Sequence, residues 1–349
     1  MKKRYSQRHA AIGMLCLLLA GCDNSASPFQ TNIRGIPSPG GASNGQAFTC
    51  RHEIISGPEA EADVLFRYAR WLQVNNQLKQ NKEVDTEVGR LYRIAAENGH
   101  AKATINLQNG SLRGHFGLTA SERRRFSQQL IDAGVASGYY FIAIYLQHGA
   151  AGLKQDEDMA LRYYRKAADE GSALAQLYLG KKLEPVDIAP DVARQMYLCA
   201  AEQGDGEAAK IMGIIYKNDK NYQEAVRVYQ LGVAAGNSTS ASFLRYGFNE
   251  PSSDDPISYL GLKKDPERSR RYEAIWNILA DYSYAHPTVP EINDILPLPP
   301  AILPEWDGKL KWVEAREANI PPEKPGEALI ARLAKKKHLD QVTGRPLTY

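Results

Sequence analysis

Cysteine is scarce: the 349 residues hold four, and no pair has the C-x-x-C spacing of a thiol metal or redox site. Other chemical signatures are missing too. There is no HExxH, and no GxSxG to present a serine nucleophile. The glycine-rich "NGSLRGHFG" lacks the Lys-Ser/Thr that completes a phosphate loop. Six histidines follow the first 22 residues: His52, His100, His115, His148, His286 and His338. None has a paired metal-ligand spacing, and His100 and His148 read as polar surface residues at helix junctions. Asp156 and Asp158 sit at a helix start, where the dipole accounts for them. "GLTASERRR" reads as a helix opened by an N-cap at Ser121. Charge of one sign is also lacking. The formal net charge is +3, and it becomes −1 when the four cations of residues 1–21 are left out. No basic bias remains to attract nucleic acid. The pattern therefore predicts no catalytic, cofactor or metal residues, and a protein that is not an enzyme.

Beyond the first 22 residues no run approaches the roughly 18 to 20 apolar residues of a membrane-spanning helix. The beginning of the chain is different. Lys2, Lys3, Arg4 and Arg8 precede the apolar "AAIGMLCLLLAG", which ends in "LAGC". This order of basic, apolar and small-plus-cysteine parts marks a leader. Its tetrad resembles the bacterial lipobox. The resemblance implies cleavage before Cys22, a diacylglycerol on its sulfur, and a periplasmic protein held by an N-terminal lipid anchor. Asp23 follows, and in enterobacterial lipoproteins an aspartate there implies retention at the inner membrane. The next stretch, "DNSASPFQTNIRGIPSPGGASNGQ", is rich in Ser, Asn, Gly and Pro and reads as a flexible tether. Of the cysteines left in that compartment, Cys50 and Cys199 stand either as a disulfide closing a long loop or as two unpaired thiols.

The body of the chain repeats. Gly99, Gly138, Gly171, Gly204 and Gly236 align at spacings of 39, 33, 33 and 32 residues. A period in the thirties predicts stacked helix pairs, since no single pair can bury its apolar face alone. Around Gly171, Ala160, Tyr164, Ala167 and Ala168 fall on one helical face. Gly171 then ends that helix, and "SALAQLYLG" begins a second. Tyr164, Tyr178 and Tyr197 take core positions. "YLQHGAAGLKQDEDMALRYYRKAADEGSALAQLYLG" resembles the Sel-one-like repeat, a relative of the tetratricopeptide repeat, through Ala160, Tyr163-Tyr164, Ala167-Ala168, Gly171, Ala175 and Leu179-Gly180. The Gly138 unit departs most, with bulky residues where small ones belong. The resemblance spans 85–250 and implies a right-handed α-solenoid with a concave, protein-binding face.

The expected organisation is all-α. It comprises a signal peptide (1–21), a tether (22–47), a capping helix region (48–84), the repeats (85–250) and a smaller, Pro-rich, mostly helical C-terminal domain (251–349). In the last part, Asp265 and Pro266 open a helix and "PGEALIARLAKKK" forms another. The proline-rich "PTVPEINDILPLPPAILPEWDG" is expected to lie extended over a surface. Off the apolar stripe of the repeats, Arg162, Arg165 and Arg194 are either ordinary solvated charges or candidates to face a partner. "LPLPPAILPEWDG" with "IPPEKPGEALIARLAKK" resembles a domain that follows such repeats in bacterial lipoproteins. Some of these are periplasmic immunity proteins of type VI secretion effectors, notably phospholipase D-type enzymes. The resemblance implies a protein partner, a secreted bacterial phospholipase whose active-site entrance the chain would cover. The alternative is a general protein-binding scaffold or regulator of the envelope. An enzyme acting on cell-wall ligands is a third class, but the regular cysteine pairs of those relatives are lacking.

Overall fold

The computed structural model describes residues 47–347; the expected leader, Cys22, Asp23 and most of the expected tether lie outside them. Fifteen α helices and no strand are found among the described residues, and none of these helices is long and apolar enough to cross a membrane. An extended segment, 47–57, leads into α1 (Ala60–Asn76). Five helix pairs follow: α2 (Lys82–Glu97) with α3 (Ala101–Leu112), α4 (Ala120–Asp132) with α5 (Ser137–His148), α6 (Glu157–Asp169) with α7 (Ala173–Leu183), α8 (Pro190–Glu202) with α9 (Gly206–Asn218), and α10 (Tyr222–Ala234) with α11 (Ser238–Gly247). The chain ends with α12 (Pro266–Asp281), the single turn α13 (Ile292–Ile295), α14 (Lys311–Ala318) and α15 (Glu327–Lys336).

The turn inside each pair has two working parts. A glycine with positive φ reverses the chain: Gly99 (86°), Gly171 (107°), Gly204 (89°) and Gly236 (85°). The next residue caps the following helix. His100, Ser172, Asp205 and Asn237 each accept a bond from the backbone N–H three residues on. The α4–α5 turn breaks the expected alignment. Its left-handed glycine is Gly134 (φ 72°), and Gly138 lies inside α5. A Cβ at Gly138 would meet the Ser127 carbonyl oxygen at 2.6 Å, so this glycine serves the close approach of α5 to α4. Alignment on the sequence misplaced it by four residues because Gly134 and Gly138 compete for one slot. Thr119, not Ser121, caps α4, in a capping box with Glu122.

A second glycine recurs in the later helix of two pairs, α7 and α9. Gly180 faces the ring of Tyr197, and Gly213 that of Tyr229. Each is a hole for the aromatic knob of the next pair, where a Cβ would sit 2.5 Å or 2.4 Å from ring carbon.

The extended segment 47–57 acts as a strap across the turns. Cys50 is joined to Cys199 of α8 by a disulfide. The Arg51 carbonyl accepts from Gln176 Nε2 at 3.0 Å, and the Glu53 N–H donates to Gln203 Oε1 at 2.8 Å. The α4–α5 turn has no capping side chain of its own, and the Glu53 carboxylate supplies one. It accepts from the Ser137 N–H, and from the Ser137 hydroxyl at 3.1 Å.

The C-terminal part returns to the start of the chain. Ile330, Leu333 and Ala334 of α15, with Leu339, share one core with Leu65, Ala69, Leu91 and Ile94 of α1 and α2. Arg90 of α2 binds Glu327 at 2.8 Å and the Gln341 carbonyl at 2.6 Å. The proline-rich run keeps much of its length exposed, but it includes the turn α13 and also sends apolar side chains inward. Val289, Ile292 and Leu296 are buried in a second core with Tyr229, Leu244 and Tyr272. Backbone carbonyls that prolines leave without helical partners are met by two buried arginines of α12. Arg268 donates to Pro297 and Ala301, and Arg271 to Ile295 and Pro304.

Two outcomes test this account. A Cβ at Gly204 meets nothing within 4 Å, whereas at Gly171 it meets the backbone of His52 and Glu53 at 2.5–2.8 Å. Gly204→Ala is therefore expected to cost about 1 kcal/mol in urea unfolding, and Gly171→Ala about 3 kcal/mol or more. Equal losses would show that the strap does not press on this turn. Leu333→Ala is expected to cost about 2–5 kcal/mol, although it lies far from the repeats in sequence.

Candidate protein-docking surface

On α1, Phe66, Arg70, Gln73 and Val74, with Gln77 just past its end, follow helical spacing and share a face; on α3, Lys102, Ile105, Asn106 and Asn109, with Arg113 just past its end, do the same. The two faces wall a hollow of about 720 Å³. Ile55 of the strap, the turn at His115 and Phe116, and Ala285 and His286 after α12 complete it. The closure of the chain thus brings residues from four stretches to one recess.

The floor is aromatic. Phe66 lies against the ring of His100, centroids 4.3 Å apart, and near Tyr92 at 5.9 Å. Phe116 fills the space left by Gly110. Side-chain amides are held in fixed orientation: Gln73 Oε1 accepts from Tyr92 Oη and Arg70 Nη1, both at 2.9 Å, and Asn106 Nδ2 donates to Tyr92 Oη at 3.2 Å. The walls are cationic. Arg70, Lys102 and Arg113 form no ion pair among the described residues. The carboxylate of the recess, Asp85, already accepts from Asn76 at 2.8 Å and pairs with His115 at 3.2 Å.

Beside the hollow stands a partly exposed aromatic cluster. The Arg316 guanidinium lies 5.6, 5.6 and 5.5 Å from the rings of Tyr282, Tyr284 and Trp312. Gln77 at the end of α1 donates to the Tyr284 carbonyl. Trp71 Nε1 donates to Asn319 Oδ1 at 2.9 Å, and Tyr68 stacks on Trp71. Arginine, tyrosine and tryptophan are the residue types that dominate binding energy at protein interfaces.

The arginines singled out in the sequence lie elsewhere, and none lines the hollow. Arg165 is 4% exposed and cannot face a partner: its guanidinium donates to the Ala47 carbonyl at 2.8 Å and to Asp169, holding the strap. It sits on the buried stripe because Tyr164 and Ala168 flank it there. Arg162 is exposed on α6, and Arg194 is paired with Asp219. Tyr164 and Tyr197 are buried, and half-buried Tyr178 stacks on Tyr164 at 3.9 Å. His100 is 1% exposed rather than a surface residue. Cys50, His52 and Cys199 lie within metal-ligand reach of one another, but the two sulfurs are bonded together. No pattern signalled the hollow, because its residues come from stretches far apart in sequence that meet only when the chain closes.

The fold is thus an all-helical stack of helix pairs whose last helix packs on its first, and its surface is of the kind that binds protein. Residues 136–172 and 173–205 match the Sel1 repeat. Residues 240–347 match a domain of unknown function, DUF6396. The helix pairs extend on both sides of the matched Sel1 units. No curated protein matches the chain. Among solved structures, immunity protein Pa5087 from Pseudomonas aeruginosa is 26% identical, with a TM-score of 0.54 over 73% of this chain and 95% of that one. Immunity protein PA5088 from the same organism is 26% identical, with a TM-score of 0.55 over 72% and 94%. P. aeruginosa 5086 (PA5086) is also 26% identical, with a TM-score of 0.52 over 73% and 96%.

Burial pushes the His100 pKa below its ordinary 6.5, against the pull of Asp63. Its Nδ1 caps α3 by accepting from the Ala103 N–H at 3.1 Å, which requires that nitrogen unprotonated. A lowered folded pKa gives stability that is present above the unfolded value and lost as pH falls below it. Wild type is therefore expected to lose about 1 kcal/mol more than His100→Asn between pH 7.5 and 5.5 in urea unfolding, since Asn caps without titrating. Parallel pH profiles would count against this role.

Proposed function

We propose that the chain is an immunity protein that neutralises a toxic effector by binding it. The observation that carries this reading is the likeness to Pa5087, which spans nearly the whole of that protein and about three quarters of this chain. The hollow and the aromatic cluster support it, since they join rigid donors, cations and half-exposed rings on one preformed surface. In the finer reading, the effector is a phospholipase D-type enzyme delivered by type VI secretion, and this protein covers its active-site entrance. Lipidation of Cys22 would place the inhibitor in the periplasm at the surface the toxin attacks, and Asp23 favours the inner membrane. Binding, not catalysis, is the activity.

Deleting the gene is expected to make cells sensitive to attack by sister cells, and the full chain supplied in trans to restore protection. The full chain should also capture a phospholipase from the secreted fraction and abolish its lipid hydrolysis near equimolar ratio. Cys22→Ala should release the protein from membranes and reduce protection without weakening binding in solution. A deletion strain indifferent to attack, with capture of a resident envelope protein instead, would replace this reading with an envelope scaffold.

A further inference from the structure

We propose that the hollow between α1 and α3 receives an acidic loop of the partner protein, whose carboxylates pair with Arg70, Lys102 and Arg113. The inference rests on the binding role proposed above and specifies the chemistry of the partner. Three observations carry it. First, the charge is unbalanced. Those three cations line the recess with no carboxylate of their own, while Asp85 is already engaged by Asn76 and His115. Second, the shape is concave. A recess of about 720 Å³ admits several side chains of a protruding loop, whereas a flat bilayer surface reaches only the rim. Third, the polar lining suits a peptide. Asn106, Asn109, Gln73 and Gln77 offer both donors and acceptors, which a loop's backbone N–H and C=O groups require and a bare anion does not. The bonds that tie Gln73 to Tyr92 and Arg70 hold these groups in place before the partner arrives.

The test uses the full chain and a fluorescein-labelled hexa-aspartate peptide, read by fluorescence anisotropy at low and moderate salt. Binding is expected for wild type. It should weaken at least tenfold in Arg70→Glu/Lys102→Glu/Arg113→Glu and several-fold in the neutral Arg70→Gln/Lys102→Gln/Arg113→Gln. Reversal of the exposed Lys263 and Lys264, which lie outside the hollow, should leave it unchanged. The three hollow residues are not part of either apolar core, and unchanged thermal unfolding would show that the variants fold. Peptide binding that the hollow variants do not alter, or no binding at all, overturns the proposal. So does cosedimentation with vesicles of equal phosphatidylcholine and phosphatidylglycerol that depends on these three cations while the peptide does not bind. In cells, a triple-Glu variant that protects as well as wild type would sink the acidic-loop proposal and leave the immunity role standing. A wild type that fails to protect would sink the immunity role, while the peptide result still decides the chemistry of the hollow.

Discussion

The strap at residues 47–57 is the constraint on which the rest of the arrangement hangs. Turns between paired helices expose amide and carbonyl groups that helices cannot satisfy internally. In three of the pairs these turns converge on the strap. Glu53 caps α5 through Ser137, the backbone at His52 and Glu53 packs on Gly171, and Gln203 at the end of α8 is bound by the Glu53 N–H. The disulfide to Cys199 fixes this short segment beside α8. Linking residues 149 positions apart removes much of the unfolded chain's freedom, which a loop-closure account values at about 5 kcal/mol. A solenoid without such a tie holds each pair only to its neighbours. Here one segment couples the pairs α4–α5, α6–α7 and α8–α9 directly.

The second constraint is the return of α15 to α1 and α2. It turns the first helix from an exposed end into an element packed on both sides, with its remaining face toward the hollow. Asn319 binds Trp71 and Asn75, and the 282–286 segment meets Gln77. The surface proposed for binding is therefore composed of α1, α3 and residues 282–319, pieces that meet only when the closure forms. Rigidity gained in this way lowers the ordering cost that association would otherwise meet.

Much of the fold was legible in the sequence, for reasons that differ by element. The α6–α7 pair was plain: alanines and tyrosines at helical spacing, acids at the start and a turn glycine all point one way, and the structure agrees with each. The α4–α5 turn was misread because two glycines four apart serve different needs, one a left-handed turn and one a close helix approach. Arg165 looked like a solvated charge. Its burial depends on the Ala47 carbonyl, a partner 118 residues away that no periodicity announces. The proline-rich run was expected to lie extended over a surface because its prolines forbid regular helix, and much of it is exposed. The sequence could not show that Arg268 and Arg271 would satisfy its carbonyls and let it enter a core. The closure and the hollow share this difficulty, since long-range contacts leave no local pattern.

Tyrosine shows most clearly why composition alone could not locate the site. The chain has nineteen, and an abundance of tyrosine is compatible with both core and interface. The structure divides them. Tyr92, Tyr145, Tyr163, Tyr197, Tyr229 and Tyr272 are fully buried, and burial pushes the Tyr163 phenol up to about 12 and others further. Such phenols stay neutral and act in packing, and Tyr272 also donates to Gln230. Tyr282 and Tyr284 remain partly open and share Arg316 with Trp312. Trp71, Trp276, Trp306 and Trp312 also remain partly open, and all lie in α1 or beyond residue 265. The buried tyrosines of the repeats thus pack one pair on the next, while Tyr246 of α11 stays exposed. Tyr282, Tyr284, Trp312 and Trp71 gather with Arg316 beside the hollow, where the two ends of the chain meet, so the surface proposed for binding and the closure are one structural event.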